Sequence, residues 1–388
     1  MGSSIIKYLP LYDAFFQNNT LPLEKFVSTE KEITTPLSQR PVDFSVQTET
    51  REWKDTANEI VILFKKTIIF PWGIYELGRY VIQRIIMMPL YPLQSRIVTF
   101  FANIIRPCFS KSNLDLLRCS HAFFLSHEQA ILRDVVFEKN GVLYSGILIG
   151  KESTIKNGNW VIQATGNMEP VEVGALEEFA DFYTIELGYN VLLINGPAIG
   201  KNGGHATPES MGDLQELGIT YLETAIKAKK IVIAGRSLGG AAINHAIVKH
   251  QFKPDIKYLV IRQMTFDRAS HIISVVVGTF LPKVVSDLVA KVVIWSGCEM
   301  DCIEASRKLQ ELNIKEVIVQ STNKTIEEGN LPKMEDFSCD GPIPAEASLG
   351  HGLIKENVVE NKVFICLRHA EHLDPYTIRA ARKEIRSL

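Results

Sequence analysis

The chain has 388 residues, with 42 Lys and Arg against 44 Asp and Glu, and 46% of it is hydrophobic. That length suffices for about two domains with a sizeable core, and the mixture is globular rather than disordered or fibrous. A net charge of −2 excludes a polycation that coats nucleic acid, so no nucleic-acid partner is expected.

Six cysteines are too sparse for a disulfide framework and fit a reducing compartment. The first twenty residues lack a basic-then-apolar signal-peptide pattern, and position 6 is Ile where myristoylation of Gly2 needs Ser or Thr. A cytoplasmic or peripherally membrane-associated protein is expected. Residues 1–57 are polar and broken by Pro10, Pro22, Pro36 and Pro41, which predicts short helices and loops. Residues 58–111 then hold seven Lys and Arg against Glu59 and Glu76, interleaved with aromatics such as Phe70, Trp72, Tyr75 and Tyr80. Basic and aromatic residues on amphipathic helices suit a membrane interface. The plainer reading, which we favour, is that these helices pack on the main domain with their cations in water. The chain thus divides into a mainly helical extension, 1–126, and a second domain, 127–388.

From about 127 the pattern becomes α/β. Runs at 130–138 and 141–149 meet at Asn140-Gly141, a hairpin signal. Strands are predicted at 160–165, 189–195, 231–234, 258–262, 316–320 and 362–367, and helices at 173–187, 211–228 and 237–250. Helical segments continue to 312, a long polar loop runs between the last two strands, and a terminal helix begins near 375. Alternation of this kind argues for a mostly parallel sheet covered on both faces. Apolar runs at 272–281 and 284–295 are parted by Pro282 and Lys283 and interrupted by Asp287 and Lys291. A membrane crossing needs about 20 mostly apolar residues, so buried or cap-like helices are expected there.

The sharpest signal is Gly235-Arg236-Ser237-Leu238-Gly239-Gly240. It follows an apolar strand and opens a helix of small residues. A turn that tight strains the serine backbone and lifts its hydroxyl above the sheet, and the glycines avoid collisions that a Cβ would cause. Ser237 is therefore the candidate nucleophile. Its oxyanion hole would combine the N–H of Leu238, just after the serine, with one from the loop after the 160–165 strand, Thr165-Gly166-Asn167-Met168. Asn167 is assigned that second donor.

These features resemble the α/β-hydrolase fold of esterases, lipases and thioesterases, from about 130 to the end. Residues 188–204 resemble the strand and turn after its first helix, and Thr207-Pro208-Glu209-Ser210 the entry to the next. The size and the N-terminal extension also resemble the chlamydial 43 kDa protein-like family. The fold implies the chain order serine, acid, histidine. Of the histidines after Ser237, His245 and His250 lie on the helix behind it, and His271 precedes the later strands. His369 and His372 follow the last strand, with His351 a distant third. The His372-Leu373-Asp374-Pro375 loop resembles the family's histidine loop, so His372 is chosen over His369. The acid should lie a few residues past Gln320, but the family pattern falls on Lys324-Thr325-Ile326, and Lys324 cannot orient an imidazole. Glu327 is taken as the acid, with Glu328, Asp336 and Asp340 further along. A Ser–His dyad or a pseudoenzyme would follow if no carboxylate reaches.

Gly196-Pro-Ala-Ile-Gly200-Lys201-Asn202 is one residue short of a phosphate loop and ends in Asn, so it is rejected. Cys298 and Cys302 lack a further ligand pair, so neither zinc nor another metal is expected. Asp267-Arg268 is read as a local ion pair or cap. The sequence reading is a serine hydrolase acting on ester, thioester or lipid-acyl bonds, without cofactor. The alternative is a catalytically impaired membrane-associated binding protein on the same fold.

Overall fold

A computed structural model describes helical residues 78–79, 81–83 and 86, and then 130–388 apart from 140–141, 167–170, 172–177, 198, 200–201, 203, 328, 373 and 375. The expectations for 1–57 and for most of 58–111 lie outside the described residues.

Eight strands form one sheet: β1 (Ala130–Lys139), β2 (Val142–Lys151), β3 (Asn159–Ala164), β4 (Asn190–Ile194), β5 (Lys230–Arg236), β6 (Lys257–Gln263), β7 (Lys315–Thr322) and β8 (Lys362–Arg368). Their order is β1-β2-β4-β3-β5-β6-β7-β8. Pairings β1–β2 and β2–β4 are antiparallel, and every later one is parallel. The parallel strands are short apolar runs because both faces are covered; Val232, Ile233, Leu259, Val260, Val317 and Ile318 are wholly buried.

The helices are α1 (Pro208–Thr224), α2 (Leu238–Lys249), α3 (Ala269–Gly278), α4 (Lys283–Ser296), α5 (Cys302–Glu311), α6 (Leu349–Lys355), α7 (Tyr376–Ala380) and α8 (Arg382–Ser387). One face of the sheet packs against α1, α2 and α5, burying Leu214, Leu222, Ile243, Ile247 and Leu309. The other buries Phe179, Phe182, Tyr183, Ile378 and Ile385. The helix expected over 173–187 is, where described, a π-helix at Ala180–Glu186, closed by Leu187 N–H donating to the Phe182 carbonyl. Thr207 caps α1 and exchanges bonds with Ser210, with Pro208 in the first turn, so that helix begins three residues before the periodicity suggests. The polar loop between the last two strands holds α6, capped by Ser348 and anchored by buried Leu349 and Leu353. Two glycines in seven residues hide it from a propensity reading.

Three buried charges staple β6, β7 and β8 together. Glu316 on β7 lies 3.2 Å from Arg262 Nε on β6 and 3.1 Å from Lys362 Nζ on β8, all three side chains wholly buried. Ser306 Oγ on α5 donates to Glu316 Oε1 at 3.0 Å.

Candidate active site

Ser237 stands between β5 and α2 with φ 55° and ψ −126°, a backbone conformation costly for any residue with a side chain. It is held there: its N–H donates to the Gln263 carbonyl at 2.8 Å and Thr265 Oγ1 donates to its carbonyl at 3.3 Å. Two glycines make the turn possible. A Cβ on Gly239 would stand 2.4 Å from the carbonyl oxygens of Ala164 and Thr165, and one on Gly235 would stand 2.6 Å from Gly239 backbone. Neither obstacle is a side chain that could swing away. Ser237 itself is half-buried, so its hydroxyl is not sealed in the interior.

Leu238 is the first residue of α2, where helical N–H groups have no intrahelical acceptor and favour negative charge. The loop after β3 passes beside the serine, since a Cβ on Gly166 would lie 3.7 Å from Ser237 Cβ. Asn167 lies outside the described residues.

The carboxylate that holds His372 is Asp340. Its Oδ2 lies 2.9 Å from His372 Nδ1, and its Oδ1 accepts the Ile343 N–H at 3.0 Å. The backbones join as well, His372 N–H donating to the Asp340 carbonyl at 2.9 Å. A carboxylate only accepts, so Nδ1 carries the proton and Nε2 of the neutral ring keeps a lone pair. The Asp340 side chain is 2% exposed and that of His372 12%, a geometry that fixes the ring yet leaves an edge reachable. Ser237, Asp340 and His372 follow β5, β7 and β8, which are parallel, so all three sit at the carboxyl edge of the sheet, where open α/β sheets hold their ligands.

Glu327 does not occupy that position. It is exposed, and the carboxylate's bond is to the Asn330 amide at 3.4 Å. Glu328 lies outside the described residues. Asp336 is buried but engaged by Lys324 Nζ at 2.6 Å and the Lys333 N–H at 2.9 Å. The reason is a loop that closes on itself. Thr322 bridges Phe337, Asn323 N–H donates to the Asp336 carbonyl, and Ser338 N–H donates to the Ser321 carbonyl. Residues 323–337 thus leave β7 and return to its end, and Asp340 follows the strand in space although seventeen residues separate it from Thr322 in sequence. The turn-forming Asp340-Gly341-Pro342 was the available signal.

The other histidines are placed elsewhere. His369 is exposed in a left-handed turn with φ 49°, its N–H donating to the Thr322 carbonyl. His250 lies buried with Nε2 2.7 Å from Glu223, and His245 packs over Gly212 of α1. His351 lies edge-on to Phe337, and burial pushes its pKa down. His271 on α3 meets the buried Asp267 at 2.7 Å. Asp267 also accepts the Arg268 N–H, while the Arg268 guanidinium reaches Asp301 and Glu356 rather than its neighbour.

The Asp267 hydrogen bond raises the His271 pKa above its ordinary value, outweighing burial. A raised histidine stabilises the fold fully below its unfolded pKa and loses that contribution as pH climbs through the folded value. The Tm gap between wild type and His271→Gln is therefore expected to be wide at pH 5.5 and to close by pH 9, as thermal melts would show; a gap that widens with pH would refute the pairing.

Among the described residues no group of His, Cys, Asp and Glu is arranged to hold a metal ion. Cys298 and Cys302 are free thiols.

A family model described as Chlamydia CHLPS protein (DUF818) matches residues 53–387. No curated protein matches the chain. Among solved structures the chain is similar to an alpha-beta hydrolase from Vibrio vulnificus, at 13% identity and a TM-score of 0.50 over 76% of this chain and 94% of that one. It is also similar to an esterase from Pyrococcus furiosus, at 17% identity and a TM-score of 0.45 over 68% of this chain and 90% of that one. The likeness is one of fold, and the fold is that of the α/β hydrolases.

Proposed function

We propose that this chain, which belongs to the Chlamydia CHLPS protein (DUF818) family, is a serine hydrolase that cleaves carboxylic ester or thioester bonds through an acyl-enzyme on Ser237. The observation that carries the reading is the pairing of two independent features at one sheet edge: a serine held at φ 55° between β5 and α2, and a buried carboxylate fixing Nδ1 of His372. The first costs stability.

In this reading Ser237 Oγ attacks the acyl carbonyl carbon and its proton passes to His372 Nε2. Asp340 stabilises the imidazolium that forms. The oxyanion of the tetrahedral intermediate accepts the Leu238 N–H, with Asn167 N–H as the assigned second donor. Collapse expels the alcohol or thiol, which takes the proton from His372. Water, deprotonated by the same nitrogen, then attacks the acyl carbon and releases the acid, restoring Ser237.

A fluorophosphonate probe tests this directly. Wild-type protein is expected to be labelled on one residue, Ser237, and Ser237→Ala to be unlabelled. Folded wild-type protein that stays unlabelled would remove the hydrolase reading.

A further inference from the structure

The α3–α4 hairpin is built inside out. From 272 to 295 its charged residues are Lys283, Asp287 and Lys291 alone, and such a segment would ordinarily fill a core. Yet the fully buried residues of α4 are Ser286, Val293 and Ser296, while Phe280 in the turn is 83% exposed, Val284 80% and Leu288 61%. Val276, Leu281 and Ile294 are exposed as well. The two helices meet through small residues, with Gly278 facing Ser286. Both buried hydroxyls are satisfied within their own helix, Ser286 Oγ donating to the Lys283 carbonyl and Ser296 Oγ to that of Val293. Small residues and self-satisfied hydroxyls inside, aliphatics outside, is the polarity of helices whose solvent is hydrocarbon. The exposed groups come from α3, the turn and α4 together, so they surround the tip; a single stripe would instead suit a groove on a partner protein.

Lys283 and Asp287 neutralise one another at 2.8 Å. At the foot of α4, Arg79 Nε donates to the Ser296 carbonyl and Cys298 Sγ meets the Gln83 carbonyl. Those contacts place Arg79 and Gln83 at the base of the hairpin, and both belong to a stretch, 58–111, whose sequence holds seven cations and two acids. An apolar prong, together with the basic sequence to which Arg79 and Gln83 belong, provides the two signals that stable membrane attachment requires. Among the described residues no helix is long and apolar enough to cross a membrane, so a prong of this length suits the interface and not a crossing. Its inner residues Ile272 and Ile273 pack on the cluster that contains Leu238 and Ile343, the neighbours of Ser237 and Asp340.

We infer that the α3–α4 hairpin docks the protein onto an anionic lipid surface. Resting on the hydrolase reading above, this makes the acyl substrate of Ser237 a lipid drawn from that surface.

The full-length protein would be sedimented with vesicles of phosphatidylcholine containing phosphatidylglycerol, and with phosphatidylcholine alone. Wild type is expected to bind the anionic vesicles more tightly. Phe280→Asp with Leu288→Asp is expected to lower partitioning on the order of 100-fold, with its melting temperature kept. Val284→Gln with Leu288→Gln is a milder pair, expected to lower binding less. Hydrolysis of vesicle lipid would fall in step, while hydrolysis of a soluble short-chain ester would not. Wild type that ignores both vesicles, or an aspartate pair that binds as wild type does, overturns the docking surface. So does a wild type that ignores vesicles but forms dimers that the aspartate pair abolishes, which would assign the prong to a second copy. A protein that binds vesicles through the prong but leaves Ser237 unlabelled would end the hydrolase reading and the substrate assignment, and the docking surface would stand.

Discussion

Asp340→Asn is expected to reduce ester turnover on the order of 10⁴-fold, whereas Glu327→Gln is expected to leave it within about twofold. The asparagine is isosteric, so the argument is one of protons. Asp340 accepts on both oxygens, from Ile343 N–H on Oδ1 and from His372 on Oδ2. Asparagine has one oxygen and one NH₂. With its oxygen toward Ile343, the NH₂ faces Nδ1, which must then accept and shift the ring proton to Nε2, removing the lone pair that would activate Ser237. Turning the amide over sets NH₂ against a backbone N–H, leaving a buried donor unpaired. That penalty favours the first arrangement, in which the base is lost while the fold survives, so far-ultraviolet circular dichroism and melting should stay near wild type as steady-state turnover of a p-nitrophenyl ester collapses. Near-wild-type turnover by Asp340→Asn, with a collapse in Glu327→Gln, would reverse the assignment.

The contrast between those carboxylates shows what a sequence can carry. The elbow is legible because its demands are local: Gly235, Ser237 and Gly239 lie within five residues, and the atoms a Cβ would strike include their own backbone. The strands are legible for a similar reason, each being an apolar run shorter than a helix needs. Asp340 is hidden because its place depends on closure of the 323–337 loop through Thr322–Phe337 and Ser321–Ser338, contacts without a periodic signature. The Ala180–Glu186 segment reads as a helix, but periodicity does not separate an i→i+5 ladder from an i→i+4 one. The apolar runs after β6 read correctly as two helices, buried or cap-like, but composition alone would set their largest aliphatics inward. The structure turns Ser286 inward and Val284 and Leu288 outward instead, a reversal set by which face meets Gly278, not by composition.

Glu316→Gln is expected to destabilise the domain by about 3–5 kcal/mol, because it strips the anion from between two buried cations. Arg262 and Lys362 have no water to turn to, both side chains being wholly buried. Burial already pushes the Lys362 pKa down, with Glu316 opposing that shift. The Arg262 Nε contact is close at 3.2 Å but not aligned as a hydrogen bond, so charge attraction carries it, and a neutral amide cannot take over. Arg262 Nη1 keeps its bond to the Cys302 carbonyl, and Lys362 Nζ its bond to that of Ser306, which holds both cations in place when their counter-charge is gone. A loss of that size is a large share of ordinary domain stability, and for a domain this long corresponds to a fall in Tm of roughly 10 °C. The triple replacement Arg262→Met, Glu316→Leu, Lys362→Met removes the desolvated charges together and is expected to recover most of the loss. Thermal and urea unfolding of both variants checks the sign: a single variant as stable as wild type, or a triple variant no better than the single one, would show that the triad is not what joins these strands. Because β7 and β8 lead to Asp340 and His372, loosening them has a functional readout too. Glu316→Gln should lose esterase activity at a lower temperature than wild type while matching it in the cold, whereas Asp340→Asn should stay inactive at every temperature.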